Sequence, residues 1–483
     1  PRAARPPPAA LIPTVPTVLT ITAIPTIPTG GRTMSFRRSL RRLLIPLTAA
    51  SLAVVALPAQ PALAKSDFTD RPFMGWSSWS VQSSTHEGYG QNWLNEENVK
   101  RAADGVATHL ASAGYEYVNM DAGWNATLEW DFHTDASGIP NADPARFPNG
   151  ITEVIDYIHG KDLKAGLYAA AGLEKEVYEK NAPIEGAPGC FTGDIAVQPL
   201  TPTNMWGGNW KIDYDNPCAQ EYINSIADRF ASWGVDFVKI DGTTEENVAD
   251  IAAWSEAIDQ SGRTMWLTAS AWPVPHAAAG PLRPHANSVR VDTDVECYCD
   301  TLSTWESSAD NRWEDLPAWL GDVEPNYWPD LDTMPISNNT GQGIQDGLND
   351  TERQSVMTFW SMASSPLYAG GDPANLDETA VSILTNPEVV AVNQAGRLPV
   401  QVEDGTLQQW VKEMPDGSLA VAVYNLGSEA ADITVDFGDV GAERRQQVRD
   451  LAARADLGRA HRSWTAEDVP PHGSRIVQLT PAR

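Results

Sequence analysis

From about Thr69 to Gln394, short apolar runs alternate with stretches in which apolar residues recur every three or four positions. The short runs read as strands and the longer periodic stretches as amphipathic helices. Tyr115–Asp121, Lys164–Ala169, Asp236–Asp241, Thr264–Ser270 and Ser288–Asp292 are predicted strands, with Glu97–Ala113 and Ala219–Trp233 among the predicted helices. Such alternation over so long a span predicts a parallel sheet with helical crossovers. The length suits a closed (β/α)8 TIM barrel, an α/β fold, better than an open doubly wound sheet. No Gly-x-Gly-x-x-Gly follows the first strand, which argues against a dinucleotide site.

After Gln394 the pattern shortens. Leu407–Val411, Leu419–Asn425, Ile433–Phe437 and Arg475–Leu479 alternate apolar and polar positions between Gly, Asp and Pro. They predict a small antiparallel β-sandwich. The expected division is a catalytic barrel over residues 65–394 and the sandwich over 395–483, consistent with a chain of 483 residues that exceeds one ordinary core.

The start of the chain reads differently. Met34 opens a basic stretch (Arg37, Arg38, Arg41, Arg42), an apolar run follows from Leu43 to Leu57, and Ala62-Leu63-Ala64 offers a small-x-small cleavage site. Residues 34–64 are therefore expected to be a signal peptide, read by the Sec or the twin-arginine route, with secretion after cleavage near Ala64. The apolar run is too short for a comfortable membrane span. Residues 1–33, rich in Pro, Thr, Ala and Ile, read as an upstream or low-complexity segment and are assigned no structure.

Charge narrows the partners. The formal charge is −29, and seven of the 34 basic residues fall in the first 64 positions, leaving 27 basic against 63 acidic side chains. Nucleic acid and anionic lipid would be repelled by that surface. Export permits disulfides, and the four cysteines allow three pairings, of which Cys190–Cys218 with Cys297–Cys299 is the expected one. Cys-x-Cys alone is a weak metal signal and the eight His show no ligand spacing, so neither metal nor other cofactor is expected.

Tryptophan is in surplus, 18 against 10 Phe. Indoles fill cores, and they also stack on sugar faces. In a parallel barrel the C-terminal strand ends face the active site. Those ends carry Trp79, Asp121, Tyr168, Lys239 with Asp241, Trp272, and Arg290 with Asp294. Carboxylates in company with aromatic and basic residues suit glycoside hydrolysis with retention, in which one carboxylate attacks the anomeric carbon and a second carboxyl protonates the leaving oxygen. Asp292 and Glu296 rival Asp294 by position alone.

These residues lie in longer motifs. Met74-Gly75-Trp76-Ser77-Ser78-Trp79, Tyr115 to Trp124, Gly166-Leu167-Tyr168, Val238-Lys239-Ile240-Asp241-Gly242 and Arg290-Val291-Asp292-Thr293-Asp294 together resemble glycoside hydrolase family 27, the melibiase-type α-galactosidases. Ser365-Pro366-Leu367 and Asn386 to Gln394 resemble its last barrel segment. The resemblance implies Asp241 as nucleophile, Asp294 as acid/base and Arg290 as a ligand of sugar hydroxyls. It also implies that Trp79, Asp121, Tyr168 and Lys239 line the sugar pocket and that Asp332 is a further acid at its edge; Trp272, at a strand end, is expected to stack on the sugar. An oligosaccharide or polysaccharide is the implied substrate.

Two positions depart from the family pattern. Ala122 stands where a second aspartate would hold hydroxyls around C4 and C6, and Ala271 stands where a glutamate would bind the C2 hydroxyl. The expected activity is that of a retaining α-galactosidase. The alternatives are a relative acting on another α-linked sugar, such as an isomalto-dextranase or an α-N-acetylgalactosaminidase, an aldolase using Lys239 as a Schiff base, or a non-catalytic sugar-binding protein.

Overall fold

The computed structural model describes residues 65–68 and 70–482, so the expected leader at 34–64 and the segment 1–33 lie outside the described residues. Eight parallel strands form one sheet: β1 (Met74–Ser77), β2 (Tyr117–Met120), β3 (Lys164–Ala170), β4 (Phe237–Asp241), β5 (Trp266–Ala269), β6 (Ser288–Arg290), β7 (Trp328–Asp330) and β8 (Leu367–Ala369). Each strand from β1 to β6 pairs with the next, and β8 pairs with β1. The circle closes between β7 and β8 through a parallel bridge from Met334 to Ala369, where Met334 N donates to Tyr368 O at 2.6 Å. The fold is the (β/α)8 barrel that the alternation predicts.

Local chemistry explains the element boundaries. Helix α1 (Glu96–Gly105) starts at Asn95, whose side chain accepts from Asn98 N, and the helical path runs on through Ala113 to Gly114 at φ 104°. Helix α2 (Ile151–His159) covers the sheet beside it with Ile151, Val154, Ile155 and Ile158 buried. Helix α3 (Pro217–Trp233) has Asn216 as N-cap, Pro217 in its first turn and Gly234 at φ 87° as its stop. Helix α4 (Val248–Gln260) packs against α3. Helix α5 (Asp350–Ala363) opens with a capping box between Asn349 and Glu352, and α6 (Pro387–Asn393) packs against it.

Aromatic residues plug the N-terminal end of the barrel. Phe73 sits with its ring centroid 5.0–5.4 Å from those of Tyr117, Phe237, Trp266 and Tyr368. The opposite end therefore holds the usable opening.

The C-terminal module is the expected antiparallel sandwich. Strands β9 (Val400–Glu403), β10 (Leu407–Glu413), β11 (Leu419–Asn425), β12 (Ala431–Asp436), β13 (Arg445–Asp450), β14 (Ala455–His461), β15 (Ser463–Val469) and β16 (Ser474–Pro481) make it up. Six of them pair in the order β9-β10-β11-β16-β13-β14, and β12 pairs with β15. Alternation along β11 sends Val421 and Val423 toward β12 and β15, and Ala420, Ala422 and Tyr424 toward the barrel. There Phe359 of α5 meets Trp410 and Tyr424 at centroid distances of 5.4 and 5.5 Å. Both disulfides form as expected, Cys190–Cys218 and Cys297–Cys299. Among the described residues, no helix is long and apolar enough to cross a membrane.

Candidate active site

A cavity of about 420 Å³ opens at the C-terminal ends of β1 to β6. Period-two alternation builds its floor. In β4, Val238 and Ile240 join the main apolar core while Lys239 and Asp241, two apart, both face the cavity. Lys239 Nζ donates to Asp121 Oδ2 at 3.0 Å and lies 5.7 Å from the Tyr168 ring centroid. The Ser77-Ser78-Trp79 segment fastens Asp121 from the side: Ser78 Oγ accepts from Asp121 N at 2.9 Å and Ser77 Oγ accepts from Trp79 N at 3.3 Å.

Asp241 Oδ1 accepts from Gly242 N at 2.9 Å. Gly242 has φ 72°, and a Cβ there would stand 2.8 Å from the Trp206 ring, so glycine lets that indole close over the strand end. Asp294 is gripped on both oxygens. Its Oδ1 accepts from Arg290 at 2.8 Å, and its Oδ2 accepts a short hydrogen bond from the Tyr298 hydroxyl.

Burial works on all three charged groups of the floor. It drives Lys239 down, but Asp121 and Asp241 outweigh it and hold the ammonium above its ordinary value. An ammonium paired with Asp121 is a poor Schiff-base nucleophile, which argues against the aldolase alternative. Burial lifts the Asp241 carboxyl; Lys239 opposes the lift, Asp294 adds to it, and the net direction is upward. At Asp294 burial is outweighed by Arg290, Lys239 and Tyr298, and the carboxyl sits below its ordinary range.

Asp121, Asp241, Asp294, Lys239, Tyr168, Trp79 and Trp272 all line the cavity. Arg290 and Asp332 stand behind the wall instead. One Arg290 nitrogen donates to Asp294 and another donates to Asp332 Oδ1 at 2.7 Å, so the guanidinium acts on the carboxylates rather than lying among the lining side chains. Asp332 is 3% exposed and its second oxygen accepts from Val295 N, which places it beneath the pocket edge. Of the rivals to Asp294, Asp292 is paired with Arg312, and Glu296 is buried, accepting from Ser80 and Thr333. Asp294, Glu296 and Asp332 lie close enough to share a cation, but the Arg290 guanidinium already bridges two of them.

Several lining residues escape a reading by strand ends. Trp130 and Phe132, Glu174 and Glu176, and Trp206 with Asn209 come from the long connections between barrel strands, Glu176 from a short helix and Asn209 from a two-residue strand. Glu174 is pushed up to about 8 by burial and then by Glu176, and its Oε2 has no hydrogen-bond partner among the described residues. Met205-Trp206-Gly207-Gly208 carried a signal in retrospect, a large indole in a glycine-bearing loop. Trp130, Trp206 and Trp272 are 41–48% exposed, whereas Trp76, Trp266, Trp313 and Trp360 are fully buried. The tryptophan surplus thus serves both core and cavity. Ala122 lines the cavity, while Ala271 is buried and not among the lining residues.

Comparison with known proteins agrees with this geometry. Residues 71–191 and 209–395 match the family model described as "Alpha galactosidase A", and residues 404–479 match "Alpha galactosidase C-terminal beta sandwich domain". The gap within the first match, residues 192–208, carries Trp206. The probable α-galactosidase of Dictyostelium discoideum is 29% identical over 454 residues, spanning 91% of this chain and 100% of its own. Alpha-galactosidase A of Cellvibrio japonicus is 27% identical, with 91% and 99% covered. Among solved structures, a family 27 β-L-arabinopyranosidase from Geobacillus stearothermophilus superposes with a TM-score of 0.77 at 28% identity, covering 86% of this chain and 97% of that one. The chain belongs to glycoside hydrolase family 27, and it is an α-galactosidase-type retaining glycosidase.

Proposed function

We propose that the chain releases terminal α-linked galactose from oligosaccharides or polysaccharides, with Asp241 as nucleophile and Asp294 as acid/base. The observation that carries this reading is that the two aspartates enter one cavity from different strand ends, Asp241 beside Lys239 and Asp294 on Arg290. Asp241 attacks the anomeric carbon while Asp294 protonates the departing oxygen, giving a glycosyl ester on Asp241. Asp294, now ionised, takes a proton from water, which displaces the ester and restores the original anomeric configuration. Lys239 favours the ionised nucleophile by its charge. The paired cysteines suit an exported enzyme, in keeping with a leader at 34–64.

Ala122 favours a second reading on the same catalytic pair. A β-L-arabinopyranoside has the ring configuration of an α-D-galactoside without the C6 hydroxymethyl group. A pocket lacking a carboxylate near C4 and C6 loses less on that sugar. Glu174 supplies a carboxyl to the cavity, and as a neutral acid it can donate to a sugar oxygen.

A panel of 4-nitrophenyl glycosides separates these readings. Turnover highest on the α-D-galactopyranoside supports the first. Preference for the β-L-arabinopyranoside supports the second, and preference for the α-N-acetylgalactosaminide contradicts both.

A further inference from the structure

The acid/base carries a contact that its chemistry does not call for. Asp294 has two oxygens; Arg290 holds one and the Tyr298 hydroxyl holds the other. A carboxyl that must deliver a proton to a glycosidic oxygen needs one of these positions for the substrate. Arg290 is buried and bridged to Asp332, so it stays. Tyr298 is 48% exposed, and its hydroxyl also accepts from Trp79 Nε1, a residue of the cavity wall, at 3.3 Å.

The chain presents this tyrosine deliberately. Cys297 and Cys299 are joined to each other, closing a small ring with Tyr298 at its tip. Tyr298 has φ 52°, a left-handed conformation that a bulky side chain adopts only where its surroundings impose it. The ring is fixed to the barrel where Cys299 O accepts from Thr85 N at 2.8 Å and Cys297 N donates to Leu302 O at 3.2 Å.

We propose that Tyr298 is a positioning residue for the acid/base: its hydroxyl holds Asp294 Oδ2 until the glycosidic oxygen of the substrate takes that place. The proposal rests on Asp294 being the acid/base. Burial, and then the charge of Asp294, keep the phenol protonated far beyond neutral pH, so it stays a donor. The groups facing Asp294 are Arg290 and Glu296 on its own segment, Lys239 and Asp241 at the end of β4, and Asp332 after β7. The two cations favour the ionised form, and the three acids oppose it. Tyr298 adds a neutral donor to the ionised side. Its removal therefore raises the pH at which Asp294 gives up its proton, and the working window of the enzyme moves upward.

The test compares the pH dependence of kcat/KM for wild type and Tyr298→Phe, on a disaccharide and on an aryl glycoside whose phenol leaves without a proton. The expected result is an alkaline limb moved up by roughly one pH unit on the disaccharide, with unchanged position on the activated substrate. A Cys297→Ala/Cys299→Ala variant, which frees the tip without removing the phenol, is expected to move the limb in the same direction by a smaller amount. An alkaline limb identical to wild type on the disaccharide, in a Tyr298→Phe protein of unchanged thermal stability, overturns the proposal. Asp294→Asn, run alongside, separates this from failure of the underlying reading: full activity of that variant on the disaccharide shows that Asp294 is not the acid/base.

Discussion

Lys239 carries more of the site than a charge beside a nucleophile. It is the one cation lining the cavity among the described residues, and it faces Asp121, Asp241 and Asp294. Replacing it with methionine leaves Asp121 buried without its ion-pair partner, a loss of about 3–5 kcal/mol, to be read from denaturant unfolding. The same change removes the charge that opposes the upward shift of the Asp241 carboxyl, so the acidic limb of kcat/KM moves to higher pH. An acidic limb left in place would contradict the role given to Lys239. At this scale the sequence was informative where a strand end fixed the residue. Asp121, Tyr168, Lys239 and Asp241 directly continue or belong to apolar runs, and their register follows from alternation. Arg290 and Asp332 show the limit of that reading. Both lie on or just after strands, yet the guanidinium bridges two carboxylates outside the cavity lining, which only the tertiary arrangement decides. Tyr298 and Glu174 were silent because loops have no period.

Among the elements, β10 ties the sandwich to the barrel through one buried side chain. Lys412 Nζ donates to Ser361 O at 2.8 Å, Ser364 Oγ at 2.7 Å and Val392 O at 3.1 Å. Ser361 and Val392 lie in the last turns of α5 and α6, where carbonyls lack partners within the helix. A cation there also meets the negative ends of both helix dipoles. Burial acts against that charge, drawing the Lys412 ammonium well below its ordinary value. Lys412→Met removes the donors; Ser361 O keeps the Ser364 N–H at 3.3 Å, but Val392 O loses its lysine donor, so a destabilisation of about 1–3 kcal/mol is expected. Thermal unfolding measures it, and an unchanged midpoint would show that the carbonyl finds another partner. The strand pattern anticipated β11 to the residue and β10 and β16 to within two, because each has one face in a core. It passed over β14, whose burial pattern is almost wholly exposed and so leaves no apolar alternation to read. Strands β7 and β8 were likewise missed as strands, although β6, equally three residues long, was predicted.

For the whole molecule, barrel and sandwich share one apolar core. Trp410, Ala420, Ala422, Tyr424 and Ile476 of the sandwich belong to the same buried cluster as the barrel helices. The described unit should therefore unfold in a single cooperative transition. Truncation after residue 395 bares Phe359 and Trp313, which stack on each other at 4.3 Å beneath Tyr424. An aggregating product or one with a much lower transition is expected. A soluble barrel with wild-type kcat/KM and melting temperature would contradict a shared core. Charge at this scale is consistent with a neutral glycan as substrate, since 63 acidic residues oppose anionic partners without hindering an uncharged sugar.

The account stands on Asp241 forming a covalent bond to the sugar. Incubation with a fluorinated galactosyl donor that accumulates the intermediate, followed by proteolysis and mass spectrometry, reads this directly. A glycosyl adduct on Asp241, in the peptide containing Val238-Lys239-Ile240-Asp241-Gly242, is the predicted result. An adduct on Asp294 or Asp121, or release of the inverted anomer with no adduct formed, would contradict it.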